Sequence, residues 1–205
     1  MAGKVRDVQT EEHIKHTAKN IFFAEGNLHA TTQEIADQAG VNRALINYYF
    51  RSRDQLFQQV LQEAMNSLFA KLHLLFTAKM DFREKIRQYI DTTIDQTATY
   101  PYLESFVIAE LNRGGALTPR FPDHLRQALL GPFSDEVQAE VQKGTLPAAT
   151  IEHFIINLMS LTTYPMMAKP IVKMIFNQDE TTYRQCIHEL KQQIFQLIFC
   201  GCQER

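Results

Sequence analysis

Apolar positions recur along this 205-residue chain at spacings of three and four, and no segment keeps an alternating period of two for long. That pattern predicts an all-α protein with strand content near zero. Ile14, Ala18, Ile21 and Phe22 make the buried stripe of a first helix over about residues 10–25. Two short helices follow within residues 31–50. Ser52 can cap a fourth, on which Leu56, Phe57, Val60, Leu61, Ala64 and Leu68 keep helical spacing to about residue 78. Further helices are expected over about residues 81–97, 102–112, 123–143 and 179–200, with a break or kink at Gly131-Pro132. A strongly apolar helix is expected from about residue 148 past Pro165 and toward Pro170.

Residues 31–50 carry the most information. Thr31 and Thr32 offer N-cap hydroxyls, and Glu34 stands three residues after Thr31, the spacing of a capping box. Ile35, Ala36 and Ala39 face inward, and small Ala36 lets a second helix approach. Gly40 sits where a tight turn between helices calls for φ > 0, with Val41 plugging the corner. Asn42 can cap the next helix, whose Leu45, Ile46 and Tyr49 share a face opposite Arg43, Ala44, Asn47 and Tyr48. This is a helix-turn-helix with groove-reading chemistry on its second helix. Arg43 can donate twice to guanine O6 and N7, Asn47 can pair with an adenine edge, and Ala44 is small enough to let the backbone sink into the groove. Tyr48 and Tyr49 offer hydroxyls to phosphates, although core packing is the competing role for Tyr49. Thr32 and Gln33 stand where a helix N-terminus meets a phosphate.

Residues 14–60 closely resemble the DNA-binding domain of the TetR family of transcriptional regulators. The resemblance rests on Phe22, Phe23, Ala24, Glu25 and Gly26 closing the first helix, on a T-x-x-x-I-A-x-x-A-G-V pattern over residues 31–41, and on a Y-x-F-x-S-K/R-x-x-L ending over residues 48–56. Asn47 and Leu45 stand where many members have tyrosine and threonine. The resemblance implies a three-helix DNA-binding domain at residues 1–53 and a helical effector-binding and dimerisation domain at residues 54–205. It also implies that Arg53 takes the place of the family's phosphate-binding lysine, keeping its charge.

The implied activity is a ligand-responsive regulator, a repressor that binds a palindromic operator in double-stranded DNA as a homodimer and is released by a small, mainly hydrophobic effector. Tyr183, Ile187, Leu190, Ile194 and Leu197 recur at spacings of four and three, a two-heptad seam, and Ile151, Phe154, Ile155, Leu158 and Leu161 stripe the preceding helix. Packing into the chain's own core accounts for part of both stripes. By the resemblance, two such helices from each subunit also form a four-helix dimer interface, with Ile151, Ile155 and Leu158 joining the seam. An effector pocket, again implied chiefly by the resemblance, has Tyr102, Phe106, Met159, Tyr164, Met166 and Met167 as apolar or amphipathic candidates, with Glu104, Glu110, His153 and Asn157 as polar ones. A stripe of Met and aromatics at helical spacing is also what a plain core looks like.

Composition narrows the field further. Hydrophobic residues make up 45 % and charged residues 21 %, no apolar run reaches the ~18 residues of a membrane span, and the N-terminus lacks the apolar stretch of a secretory signal, so a cytoplasmic protein is expected. Net charge is −2, but residues 1–53 hold seven Lys/Arg against six Asp/Glu. Lys4, Arg6, Lys15, Arg43, Arg51 and Arg53 are therefore candidates for a local basic surface against the duplex. Three cysteines, Cys186, Cys200 and Cys202, argue against a disulfide framework. Cys200-Gly-Cys202 offers a metal or redox pair, against the simpler reading of two thiols on a tail. His13 and His16 share a helix face without an evident third metal ligand. No nucleophile elbow, phosphate loop or zinc-protease helix occurs, so no enzyme activity and no cofactor are expected. The competing functional classes are a DNA-binding regulator controlled by a protein partner or by cysteine oxidation, and a helical interaction module in which the motif is scaffold.

Overall fold

Short-range capping chemistry starts or stops several of the helices. The computed structural model describes residues 2–113 and 121–199, and among them stand eleven α-helices and no strand. The first, α1 (Ala2–Lys19), continues into a π-helical turn at Asn20–Ala24. Then come α2 (Thr32–Ala39), α3 (Arg43–Phe50), the long α4 (Arg53–Thr77), α5 (Phe82–Thr99) and α6 (Leu103–Arg113). The rest are α7 (Asp123–Ala128), α8 (Ser134–Gln142), α9 (Ile151–Met167), α10 (Lys169–Phe176) and α11 (Glu180–Phe199). Thr150 accepts a hydrogen bond from the His153 amide at the head of α9, and Asp179 accepts one from Thr182 at the head of α11. The expected kink at Gly131-Pro132 is a π-helical turn over Leu129–Phe133, with Gly131 at φ −107° and ψ −107°. The apolar helix expected to run toward Pro170 stops at Met167, and α10 is a separate element that periodicity did not mark.

The chain divides into two compact units, Met1–Ser67 with Thr99–Pro119, and Leu68–Ala98 with Arg120–Arg205. This differs from the expected division at residue 53, because the first half of α4 and the whole of α6 pack with the N-terminal helices. Phe57 of α4 lies edge-on to Phe22 and to Phe106 of α6, both at 4.9 Å between ring centroids. The Tyr102 amide donates to the Phe23 carbonyl at 3.1 Å. Gly26, at φ +79°, lets the Tyr102 ring pass where a Cβ would sit 2.9 Å from it. Ile14, Ala18, Ile21 and Phe22 are fully or almost fully buried, as their spacing requires. Lys15, expected on the basic surface, is buried instead and donates to Glu63 at 2.8 Å, with Glu12 as a second partner. A lysine one turn along the apolar stripe is carried inward by the helix, and two carboxylates keep it charged.

The second unit packs around Phe133, whose ring lies 4.6 Å from Phe76, 6.0 Å from Phe82 and 6.2 Å from Phe154. Lys85 is fully buried there and donates to both carboxylate oxygens of Glu136 at 2.7 Å. Tyr183 is buried too, and its hydroxyl donates to the Pro165 carbonyl at 2.9 Å, near the C-terminal end of α9.

That packing takes up part of the expected dimer seam. Tyr183, Ile187 and Ile194 of α11, with Leu158 of α9, are buried in the unit's own core. Ile151, Ile155 and Leu190 are half-buried, and Leu197 alone of the eight is exposed. Heptad spacing identified an apolar face, and a neighbouring helix of the same chain covers most of it.

Candidate nucleic-acid interface

The helix-turn-helix is built by contacts its own residues make. Thr31 Oγ1 accepts from the Glu34 amide at 3.2 Å, and the Thr31 amide donates to the Glu34 carboxylate at 2.7 Å, a complete capping box. The backbone hydrogen bond from Thr31 holds the Glu34 carboxyl below its ordinary pKa. Gly40 adopts φ 63° and ψ 31°, and the Val41 amide donates back to the Ala36 carbonyl at 3.0 Å, closing the turn. Asn42 Oδ1 accepts from the Ala44 amide at 2.8 Å and starts α3.

On α3 the division of faces is sharp. Ile46 and Phe50 are buried, whereas Arg43, Ala44, Asn47 and Tyr48 are exposed, Tyr48 at 71 %. On α2, Gln33 is exposed and donates to Asp37 at 2.7 Å, and Thr32 is half-exposed in the first turn. Four of the expected contact residues thus share one open face, with the N-terminus of α2 as a second element.

Two side chains take up more specific roles than their spacing indicated. The Tyr49 hydroxyl donates to the Asp7 carboxylate, a bond that ties α3 to the start of α1 and pushes the phenol pKa up to about 12. Asp7 escaped sequence reasoning because its partner lies 42 positions away. Arg53, expected as a free phosphate clamp, lies over the rings of Phe22 and Phe57 at 5.1 and 5.2 Å. Its Nε donates to the Ala30 carbonyl at 3.2 Å and one terminal nitrogen pairs with Asp54, while the other is buried without a partner. The guanidinium thereby holds the loop before α2 against the aromatic core.

Arg51 is the exposed cation beside α3. It sits in a γ-turn at φ 62° and ψ −42°, closed by the Ser52 amide donating to the Phe50 carbonyl at 2.7 Å. A non-glycine residue held there costs roughly 1–3 kcal/mol. Beside it opens a cleft of about 450 Å³ lined by Tyr49, Phe50, Arg51, Gln55, Gln58, Gln59 and Gln62. Four glutamines make it polar, and it shares no residue with the expected effector pocket. His13, weighed above as a metal ligand, instead directs Nε2 at the Ala39 carbonyl at 3.0 Å, a contact that requires the proton on that nitrogen. Among the described residues no group of three or more His, Cys, Asp or Glu is placed to hold a metal.

Of the expected effector residues, Tyr102, Glu104, Phe106 and Glu110 belong to the first unit and the others to the second. On α9, His153, Asn157, Met159 and Tyr164 are exposed, Met167 is half-buried and Met166 is buried with its sulfur 3.6 Å from the Tyr183 hydroxyl. The Glu110 side chain lies outside the described residues, as do Cys200, Cys202 and the side chains of Lys4 and Arg6. Helical spacing placed these residues on apolar elements without specifying which way each would turn.

Residues 14–60 match the family model of bacterial regulatory proteins, tetR family. The chain is 24 % identical over 183 residues to the HTH-type transcriptional regulator RutR of Escherichia coli, covering 85 % of this chain and 84 % of that protein. It is 28 % identical over 87 residues to the nucleoid occlusion factor SlmA of Vibrio vulnificus, a match to 42 % of this chain and 44 % of that protein's length. Among solved structures, the hemolysin II transcriptional regulator HlyIIR superposes with a TM-score of 0.58 at 20 % identity, over 94 % of this chain and 98 % of that one. The fatty acid degradation regulator FadR of Bacillus halodurans does so at 0.60 and 18 % identity, over 95 % and 97 %. These structural likenesses establish a shared all-α fold.

Proposed function

We propose that the chain, whose residues 14–60 match the tetR family model and which resembles the transcriptional regulator RutR over most of its length, is a TetR-family regulator, a ligand-released repressor that binds a palindromic operator as a homodimer. The observation that carries this reading is α3 itself, with Arg43, Ala44, Asn47 and Tyr48 on an open face and Ile46 and Phe50 buried behind them. With that face in the major groove, Arg43 donates to a guanine edge and Asn47, one turn on, pairs with adenine. Ala44 admits the backbone to the groove. Tyr48, Arg51 and the α2 N-terminus at Thr32 and Gln33 contact phosphates and set the register. Tyr49 and Arg53 position these elements, one through Asp7 and the other through Ala30 and the aromatic core. Residues 1–53 are then the DNA-contacting part, and residues 54–205 serve effector binding and dimerisation.

Two copies place two α3 helices on half-sites about 34 Å apart, one turn of the duplex. Leu197 on α11, with Leu190 half-buried on the same helix, supports an interface between copies, and exposed Ile156, Met159 and Tyr164 on α9 extend it. A mainly hydrophobic effector fits the Met- and aromatic-rich helical second unit. Its binding must weaken the operator complex by the factor by which DNA weakens effector binding, about 5- to 150-fold for a coupling of ~1–3 kcal/mol. No helix among the described residues is long and apolar enough to cross a membrane; a cytoplasmic location is part of the proposed reading, since the DNA it would act on lies there.

Sequencing the genomic fragments that the purified protein retains tests the reading directly. Two inverted half-sites one helical turn apart are expected. Arg43→Ala should then weaken operator binding by ~1–3 kcal/mol and relax preference at one position per half-site. Retention without any shared motif, or an unchanged preference in Arg43→Ala, would count against α3 as the reader.

A further inference from the structure

The helix α10 is amphipathic in the reverse sense for a surface helix. Pro170 stands in its first turn, and Asn177, in the left-handed conformation at φ 48°, ends it by donating its amide to the Lys173 carbonyl. Between these stops its polar side is turned inward. Lys169 donates to Glu180 Oε1 at 2.7 Å and lies 5.3 Å from the centre of the Tyr183 ring, and Lys173 donates to Glu180 Oε2 at 3.1 Å. The apolar side meets water: Ile171 is 51 % exposed, Met174 75 %, Ile175 64 % and Phe176 67 %, and no residue of α10 is buried. A helix folded only against its own chain presents the opposite arrangement.

We propose that the outer face of α10 docks on a second copy of this chain, extending the homodimer contact of α9 and α11 and resting on that reading. Area is the first argument. The four side chains each leave on the order of 100 Å² of apolar surface in water, about half of the ~800 Å² per partner that a stable interface buries. Alone, α10 is too small. Its neighbour α9 adds Ile156, Met159 and Tyr164, and α11 adds Leu197, all more than half exposed, which brings the apolar surface close to the full requirement.

Charge is the second argument. Glu180 engages both lysines of α10, so the outward face carries no cation to attract an anionic membrane or an acidic partner. An uncharged Ile, Met and Phe surface needs only its own copy, since an isologous contact asks for self-complementarity alone.

The test uses the full chain and sedimentation equilibrium over a range of concentrations. Met174→Glu combined with Ile175→Glu alters side chains that are 75 % and 64 % exposed in their own subunit, so the helical content of the diluted monomer should stay that of the parent. The dimer dissociation constant should rise at least ~100-fold. Leu197→Glu tests the α11 contact separately. If the α10 double variant dimerises as tightly as the parent while Leu197→Glu does not, α10 is overturned and the homodimer stands. If the parent is monomeric at micromolar concentration, the homodimer reading itself fails. Co-flotation of the parent, but not the double variant, with phosphatidylcholine–phosphatidylglycerol vesicles would assign the face to a membrane and overturn the proposal.

Discussion

Replacing Arg53 separates two roles that the sequence could not. The side chain stacks on Phe22 and Phe57 and donates to the Ala30 carbonyl. A charge-assisted hydrogen bond contributes about 1.5–3 kcal/mol, and each cation–π contact at a partly shielded site about 0.5–1 kcal/mol. The Asp54 pair adds little, since that carboxylate is largely exposed. One buried terminal nitrogen without a partner subtracts from the total. Arg53→Ala should therefore cost roughly 2–4 kcal/mol of stability, a fall in Tm on the order of 5–15 °C for a chain of this size. Arg53→Lys keeps the charge but loses both the Nε bond and the planar stacking, so it should recover less than half of that. The paired assay is thermal unfolding of the free protein and operator binding at several salt concentrations. A positioning role lowers Tm in both variants and leaves the salt slope unchanged. A phosphate clamp does the reverse in Arg53→Ala: an unchanged Tm and a slope lower by about one unit. That second outcome would refute the assignment drawn from the geometry.

Three further outcomes are expected. Asp7→Asn removes an anion beside α3, so operator affinity should rise by ~3- to 10-fold at low salt with a steeper salt slope; the Tyr49 phenol, now near 12, should titrate closer to its ordinary 10 by ultraviolet spectroscopy. Gly26→Ala forces an alanine into φ +79° and against the Tyr102 ring; ~1–2 kcal/mol for the backbone plus displacement of the ring should appear as a lower midpoint in denaturant, and an unaltered midpoint would show that the ring moves freely. The hydrogen bonds from Lys169 and then Lys173 hold the Glu180 carboxyl at about 2, below its ordinary 4.5. A depressed carboxyl stabilises the fold above its unfolded pKa and loses that contribution as pH falls through the folded one. Amide exchange over residues 171–176 should accordingly quicken between pH 4.5 and 2 once corrected for intrinsic rates, and Glu180→Gln should show the faster exchange already at neutral pH.

What the sequence determined by itself is what neighbours within about one helical turn decide. The Thr31–Glu34 capping box, the left-handed Gly40, the Asn42 cap and the inward set Ile35, Ala36, Ala39 and Ile46 all follow from contacts three or four residues apart, and each stands in the structure as its spacing requires, whereas Leu45 and Tyr49 of the same reading are only half-buried. The open face of α3 was legible for the same reason. Tertiary structure decided whatever depends on partners far along the chain: Arg53 on Ala30 at a separation of 23, His13 on Ala39 at 26, Tyr49 on Asp7 at 42, Lys15 on Glu63 at 48 and Lys85 on Glu136 at 51. It also decided which apolar stripes stay covered. Periodicity marks a face as apolar, but a helix of the same chain and a helix of another copy satisfy it equally well. The core therefore took Tyr183, Ile187 and Ile194 of the heptad seam, while the unanticipated α10 was left with Ile171, Met174, Ile175 and Phe176 in water.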